Sequence, residues 1–185
     1  MHSLIEKVRG ATTGYFTAQE KLEAELKAAE ADYQGERRQK ETARIHALQK
    51  DAHDTACATV VKACHEASEA YRVQKENRDA DGVNPKNITP DFELLKQLVT
   101  LTADELRALH ARNADNALFT RALRQYAGER NIQVGFPDVL DEKMRAVNEL
   151  YGAYSRPLQT RKKALVGIAE AALGLERIDA ILSKP

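Results

Sequence analysis

Apolar residues in the C-terminal third recur at alternating spacings of four and three. They are Leu140, Met144, Val147, Tyr151, Tyr154 and Leu158, and the stripe resumes at Leu165, Ile168, Ala172 and Leu175. A period of about 3.5 residues is typical of a helix that packs along another helix. The pattern predicts a C-terminal helix within 137–185. Pro157 predicts a kink or a new helix start there, with Ser155 as the N-cap.

The N-terminal segment, residues 1–79, predicts a second long helix. From Tyr15 to Asp79 it contains no proline and is rich in strong helix formers. The stretch from Gln34 to Arg44 has no apolar stripe, which indicates either a solvent-exposed bridge or a bend near Gly35. We favour one continuous helix. Further along, small residues on its seam would allow another helix to approach closely; they are Ala52, Ala56, Thr59 and Ala63.

The middle of the chain differs from both flanks. Residues 79–87 are rich in Asp, Asn, Gly and Pro, which are typical of turns. Residues 88–136 predict a small helical cluster in which Thr89-Pro90 opens the first helix. Thr102 and Glu105 have the spacing of a capping box. Asn113 or Asp115 is predicted to cap the helix that follows, and the segment 132–136 is predicted to be extended.

These segments predict an all-α fold. The expected architecture is a long antiparallel coiled-coil-like helical hairpin, with 137–185 packed back on 1–79 and 88–136 inserted at the turn. One helix over 15–79 would be roughly 97 Å long at 1.5 Å per residue. A chain of 185 residues cannot cover such a helix alone. We therefore expect a partner for its apolar edge.

Composition narrows the function classes. Charged residues make up 30% of the chain, and 28 Lys and Arg balance 28 Asp and Glu. A net charge of zero argues against a dedicated binder of nucleic acid or anionic membranes. The N-terminus lacks the apolar region of a signal peptide, and no apolar run could span a membrane. We expect a cytoplasmic protein whose two cysteines, Cys57 and Cys64, are reduced thiols.

Four metal-capable side chains lie close to one line on the first predicted helix. They are His46, His53, Cys57 and Cys64. Only His53 and Cys57, one turn apart, could share an ion, and zinc requires four ligands. We therefore expect no metal and no cofactor. The alternative is a metal-binding sensor or enzyme that uses His53 and Cys57 at an oligomer interface. Since phosphate-loop, nucleophile-elbow and metalloprotease motifs are absent from the sequence, we expect no enzyme.

One part of the middle segment resembles a known type of protein. The stretch Leu101-Thr102-Ala-Asp-Glu105-Leu106, continued by Asn113-Ala-Asp-Asn116 and Ala122-Leu123-Arg-Gln-Tyr126, is similar to a short helical module. This module occurs in small uncharacterised proteins encoded by prophages of Gram-positive bacteria, which also place a long charged helix before it. The resemblance implies a phage structural or assembly role without catalytic residues.

Together these observations predict a non-catalytic phage or prophage assembly protein. It would act through helix-mediated self-association, most simply as a homodimer, and could bind another phage or host protein, in the cytoplasm or in the virion. The cluster would be the recognition end, with Phe92, Leu118, Phe119 and Tyr126 as candidate partner contacts or as local core. A helical dimer that binds membrane surfaces is a further alternative, and the balanced charge speaks against it.

Overall fold

The structure is a computed structural model that describes residues 3–81, 88–96 and 100–184. Within these ranges the chain forms eight helices and no strand. They are α1 (Leu4–Asp32), α2 (Gly35–Asp81), α3 (Asp91–Leu95), α4 (Ala103–Arg112), α5 (Ala117–Glu129), α6 (Val139–Thr160), α7 (Ala164–Leu173) and α8 (Leu175–Leu182). The predicted all-α fold is confirmed. Of the turn predicted over 79–87, residues 82–87 lie outside the described chain.

The chain divides into two compact units. The first, which we call the bundle unit, comprises residues up to Ser68 and residues from Arg145 onward. The second, which we call the cluster unit, comprises Glu69–Met144. Helices α2 and α6 each contribute residues to both units.

Helices α1 and α2 form a long antiparallel hairpin in the bundle unit. Near the turn, Arg44 Nη2 lies 3.7 Å from Glu25 Oε2. Further from the turn, the rings of Tyr15 and His53 are 5.5 Å apart. A helical hairpin is thus confirmed, but its long arms are α1 and α2, which both lie in the segment 1–79 that the sequence predicts to be one arm.

The prediction of one continuous helix over 15–79 is wrong. The chain leaves α1 after Asp32 and enters α2 at Gly35, whose φ is +56°. Glycine adopts this left-handed conformation without the penalty that a Cβ brings. The charged stretch around the turn is readily exposed to water, whereas folding α1 back buries apolar side chains such as Val8 and Phe16. A bend at Gly35 therefore costs less than a straight helix.

Helix α6 runs antiparallel to α2 within each unit. In the cluster unit, Arg78 near the end of α2 donates to Asp138, which precedes α6, at 2.6 and 3.1 Å. In the bundle unit, His53 Nε2 lies 3.3 Å from the carbonyl oxygen of Leu158 near the end of α6. Helices α3–α5 are inserted in the chain between α2 and α6.

The cluster unit has a core of bulky side chains from α4, α5 and the segment that follows α5. They are Leu106, Leu109, Phe119, Leu123, Tyr126, Ala127 and Phe136. Phe92 of α3 meets Phe119 edge-on, with 4.9 Å between ring centroids. The segment 132–136 is irregular and brings Phe136 into this core.

One predicted helix cap in the cluster unit is confirmed and another is corrected. Thr102 and Glu105 form the expected capping box, in which the Thr102 amide donates to Glu105 Oε2 at 2.7 Å. Helix α5 is capped by Asn116, whose Oδ1 accepts from the Phe119 amide at 3.0 Å. Asn113 does not cap α5 because it is the C-cap residue of α4, and its Oδ1 accepts from the Thr89 hydroxyl at 3.3 Å.

Of the two alternatives predicted at Pro157, a kink or a new helix start, the new start does not occur. Helix α6 continues through it to Thr160, and the Ser155 hydroxyl donates back to the Gly152 carbonyl at 3.5 Å instead of capping. Proline removes the backbone donor that would pair with the carbonyl oxygen of Ala153, and the helix ends within one turn of it, at Thr160. The break follows at Arg161, where φ is +54°.

Candidate functional site

Helix α7 is unusually apolar for an exposed helix. Its ten residues, ALVGIAEAAL, include one charged side chain, Glu170. Only Val166 and Leu173 are buried, and Ile168 is 64% exposed. A helix that is apolar on nearly all sides is usually covered by other parts of a protein. The outer side of α7 therefore has the character of an interface.

This outer side continues into α6 as one shallow apolar groove of about 510 Å³. Its lining, which we call the α6–α7 face, consists of Glu149, Gly152, Ala153, Arg156, Pro157, Leu165, Ile168, Ala169, Ala172 and Leu173. Most of these side chains are small or apolar, and the two charged ones both belong to α6. Small residues allow the backbone of another helix to approach closely.

Charged contacts on its inner side hold α7 in this orientation. Glu170 Oε1 accepts from the Tyr154 hydroxyl at 2.7 Å and lies 3.0 Å from Arg9 Nε. Burial, together with the neighbouring Glu170 carboxylate, raises the pKa of Tyr154, so this hydroxyl remains a donor. Lys163, just before α7, donates to Glu20 of α1 at 2.6 Å. The apolar residues opposite Glu170 are thereby directed away from the bundle.

The predicted C-terminal seam is right for α6 except at Tyr151, which is 37% exposed, and it is wrong for α7. In α6, Val147, Tyr154 and Leu158 are buried as the pattern requires. In α7, the stripe residues Ile168 and Ala172 are exposed, while Val166 and Leu173 are buried instead. The helix is interrupted at 161–163, so α7 is rotated relative to a direct continuation of α6. The apolar spacing of α6 therefore does not predict which side of α7 is buried. The signal that could have revealed the exposed face is the near absence of charge in α7.

The two metal candidates, His53 and Cys57, lie in contact with each other. Cys57 Sγ lies 3.6 Å from His53 Nε2, and that nitrogen also faces the Leu158 carbonyl. The described residues include no group of three or more His, Cys, Asp or Glu side chains that could hold a metal. Burial raises the pKa of Cys57 and raises the pKa of Cys64 to about 11, which disfavours the metal-binding thiolate. His46 is exposed, so the four predicted residues do not converge.

The four candidate partner contacts in the cluster unit are mostly structural. Phe119 is fully buried and Tyr126 is 4% exposed. The Tyr126 hydroxyl accepts from the Leu101 amide at 3.0 Å, which fixes it within the fold. Phe92 and Leu118 are half-buried, and Phe92 covers Phe119. Phe119 and Tyr126 are therefore core residues, which is the second of the two alternatives that the sequence left open.

A small polar cavity of about 130 Å³ lies in the cluster unit and was not foreseen from the sequence. Among its lining residues are His110 of α4, Arg124 of α5 and Asp138. Burial and the charge of Arg124 lower the pKa of His110. Burial acts to raise the pKa of Asp138, but hydrogen bonds and the charge of Arg78 outweigh it, so that this pKa is lowered. The cavity therefore favours a neutral imidazole beside an ionised carboxylate.

No protein-family model, curated protein or solved structure matches this chain. Among its described helices, none combines the length and the apolar character needed to cross a bilayer. The feature that stands out on its surface is the α6–α7 face.

Proposed function

We propose that this chain is a non-catalytic structural or assembly protein of a phage or prophage, which acts through helix-mediated self-association, most simply as a homodimer. The observation that carries the proposal is the exposed apolar side of α7, with Ile168 64% accessible to water. Removing apolar surface from water favours association. Contiguous exposed apolar patches typically mark interaction sites.

The contiguity of the patch matters more than the exposure of any single residue. Val61 on α2 is also 50% exposed, but the neighbouring turns place Asp54 and His65 on its side of the helix. Single apolar residues in such surroundings are normal on protein surfaces. On the α6–α7 face, Ile168 stands among other uncharged residues. Fully burying one side chain of this size is worth about 1.5–3 kcal/mol, and a two-fold dimer buries each residue twice.

Two further parts of the proposal rest on the sequence. The phage or prophage origin rests on the resemblance of the segment that begins at Leu101, and another phage or host protein is a second candidate partner. The non-catalytic role rests on the lack of recognisable catalytic motifs in the sequence. The position of the encoding gene among phage structural genes would test the origin directly.

Self-association is tested by measuring molar mass in solution over a range of concentrations. The wild-type mass should exceed the 20.6 kDa of one chain. Ile168→Glu should stay near the mass of one chain, because a carboxylate would be desolvated in the interface. Val61→Glu, at the isolated exposed position, is the matched control and should behave like the wild type. A wild-type mass of one chain at every concentration would contradict the proposal.

A further inference from the structure

We infer that the second copy of this chain binds the α6–α7 face in an antiparallel two-fold arrangement, in which Glu149 of each copy pairs with Arg156 of the other. This inference rests on the proposed self-association and specifies its geometry. It follows from the order of four residues along α6 and four along α7.

Four residues of α6 that line the groove, which we call the α6 stripe, carry opposite charges at their two ends. Glu149, Gly152, Ala153 and Arg156 are spaced at i, i+3, i+4 and i+7, so they share one side of the helix, and all four line the groove. When two copies of such a stripe run antiparallel about the point between Gly152 and Ala153, position 149 faces position 156. An acidic group then meets a basic group at both ends. A parallel pairing would instead place like charges together.

The α7 stripe fits the same two-fold axis. Leu165, Ile168, Ala169 and Ala172 repeat the same spacing and are all uncharged. The Tyr154–Glu170 hydrogen bond of 2.7 Å joins residues close to the centre of each stripe, so the two stripes lie side by side. One axis can therefore pass near both centres. It would place Leu165 opposite Ala172 of the second copy, a large side chain facing a small one.

The centre of the α6 stripe allows close contact. Gly152 is exposed, and a Cβ added to it would meet no atom within 4 Å. The smallest side chains of the stripe therefore lie where the two α6 helices would cross. This placement suits a helix pair of short interaxial distance, since backbones can then approach without steric conflict.

The end groups of the stripe are available for pairing. The Arg156 side chain is exposed and makes no ion pair within the described ranges. Glu149 is bound by Arg177 of its own chain, but a carboxylate has room for several donors. Arg156 of a second copy can therefore join Arg177 at Glu149. Such complementary charges fix the register of an interface more than they set its strength.

A charge-reversal cycle in the full-length chain tests this pairing. Arg156→Glu and Glu149→Arg should each weaken dimerisation about tenfold or more, because each creates like-charge contacts. The double variant exchanges the two charges and should recover most of the loss. Sedimentation equilibrium measures the dimer dissociation constant for all four proteins. Additive losses without recovery would overturn the inferred pairing.

A disulfide at the proposed axis provides an independent test. Gly152→Cys should form an intermolecular disulfide under mild oxidation, because its two copies would meet at the crossing. Wild type, with Cys57 and Cys64, and Val73→Cys, a cysteine at an exposed site on α2, are the controls and should form little. A dimeric protein that gives no disulfide at position 152 overturns this geometry while self-association stands. A monomeric wild type overturns both proposals.

Discussion

The α3–α5 cluster and the tip of the α1–α2 hairpin are stabilised in different ways. The cluster buries leucines and aromatic rings that are close in sequence, among them Leu106 and Phe119. Near the tip, the last buried residue of α1 is Ala29 and the first buried residue of α2 is Ile45. Ion pairs such as Arg44–Glu25, with both side chains 53% exposed, join the two helices close to these residues. Both regions consist mainly of helix, so helical structure alone does not show where stability lies.

Truncating the cluster core should have the largest effect. Phe119→Ala removes a fully buried ring that Phe92 contacts edge-on, and should lower the free energy of unfolding by about 3–5 kcal/mol. Leu26→Ala, at a half-buried position toward the tip, is the matched control and should cost clearly less. Urea denaturation followed by circular dichroism measures both. Equal losses would show that the cluster core is no more important than the tip.

An ion pair of the cluster unit and an ion pair of the hairpin tip should differ in stabilising effect in the same direction. The Arg78 and Asp138 side chains are only 19% and 11% exposed and lie 2.6 Å apart. Arg78→Gln should lower the free energy of unfolding by about 1–3 kcal/mol, since it leaves a largely buried carboxylate without its charged donor.

Arg44→Gln removes the exposed pair at the tip and is the control for this change. Exposed pairs gain little because water and salt screen them, so its urea midpoint should match the wild type. A midpoint shift as large as that of Arg78→Gln would mean that the tip is held by its charges.

The contribution of the hairpin turn to stability can be tested by substituting Gly35. Gly35→Ala should cost about 1–2 kcal/mol, because a Cβ is unfavourable at a φ of +56°. No neighbouring atom would meet the added Cβ, so the loss would come from the backbone conformation alone. Gly128→Ala, in the regular helix α5, should instead stabilise by about 0.5–1 kcal/mol. Differential scanning calorimetry of the two variants should show melting temperatures displaced in opposite directions.

The polar cavity should give a smaller effect that depends on pH. Because burial lowers the pKa of His110 in the folded state, the unfolded state binds more protons near the ordinary histidine pKa of about 6.5. Stability is thus fully present above that pH and falls as the pH drops toward the folded-state value. The charged groups that share the cavity are Lys75, Arg78, Asp79, Arg121, Arg124, Asp138 and Asp141.

Urea titrations between about pH 7 and pH 5.5 measure this dependence, over the range in which an ordinary histidine titrates. His110→Gln should flatten the decline, whereas His65→Gln, at an exposed site on α2, should leave it unchanged. A slope that survives His110→Gln would assign the effect to other groups.

Features that depend on neighbours in sequence were predictable. The Thr102–Glu105 capping box forms as expected because both partners lie within one helical turn. The start of α3 after Thr89-Pro90 is local in the same way. The cap of α5 was misassigned to Asn113 or Asp115 because several residues in that turn can cap a helix. Asn113 instead ends α4, and its Oδ1 accepts from the hydroxyl of Thr89, 24 residues earlier.

The α6–α7 face depends on tertiary contacts that the apolar spacing of the sequence does not reveal. The apolar spacing predicts which side of α6 is buried. The positive φ of Arg161 interrupts the helix, so the same spacing does not extend to α7. Contacts of Glu170 with Arg9 and Tyr154 then set which side of α7 faces inward. Those partners lie 161 and 16 residues away, so the side left exposed could not be read from the spacing.

The sequence by itself determined that this chain is helical, because propensity, apolar period and capping are local properties that act within about one turn. It also specified the insertion of a bulky cluster between long helices. Tertiary structure decided that α1 folds back at Gly35 and that α7 presents Ile168 to water. A charged stretch can form a straight helix or a bend at similar local cost, and an apolar helix can bury either side. Only the total surface buried by the whole fold selects between such alternatives.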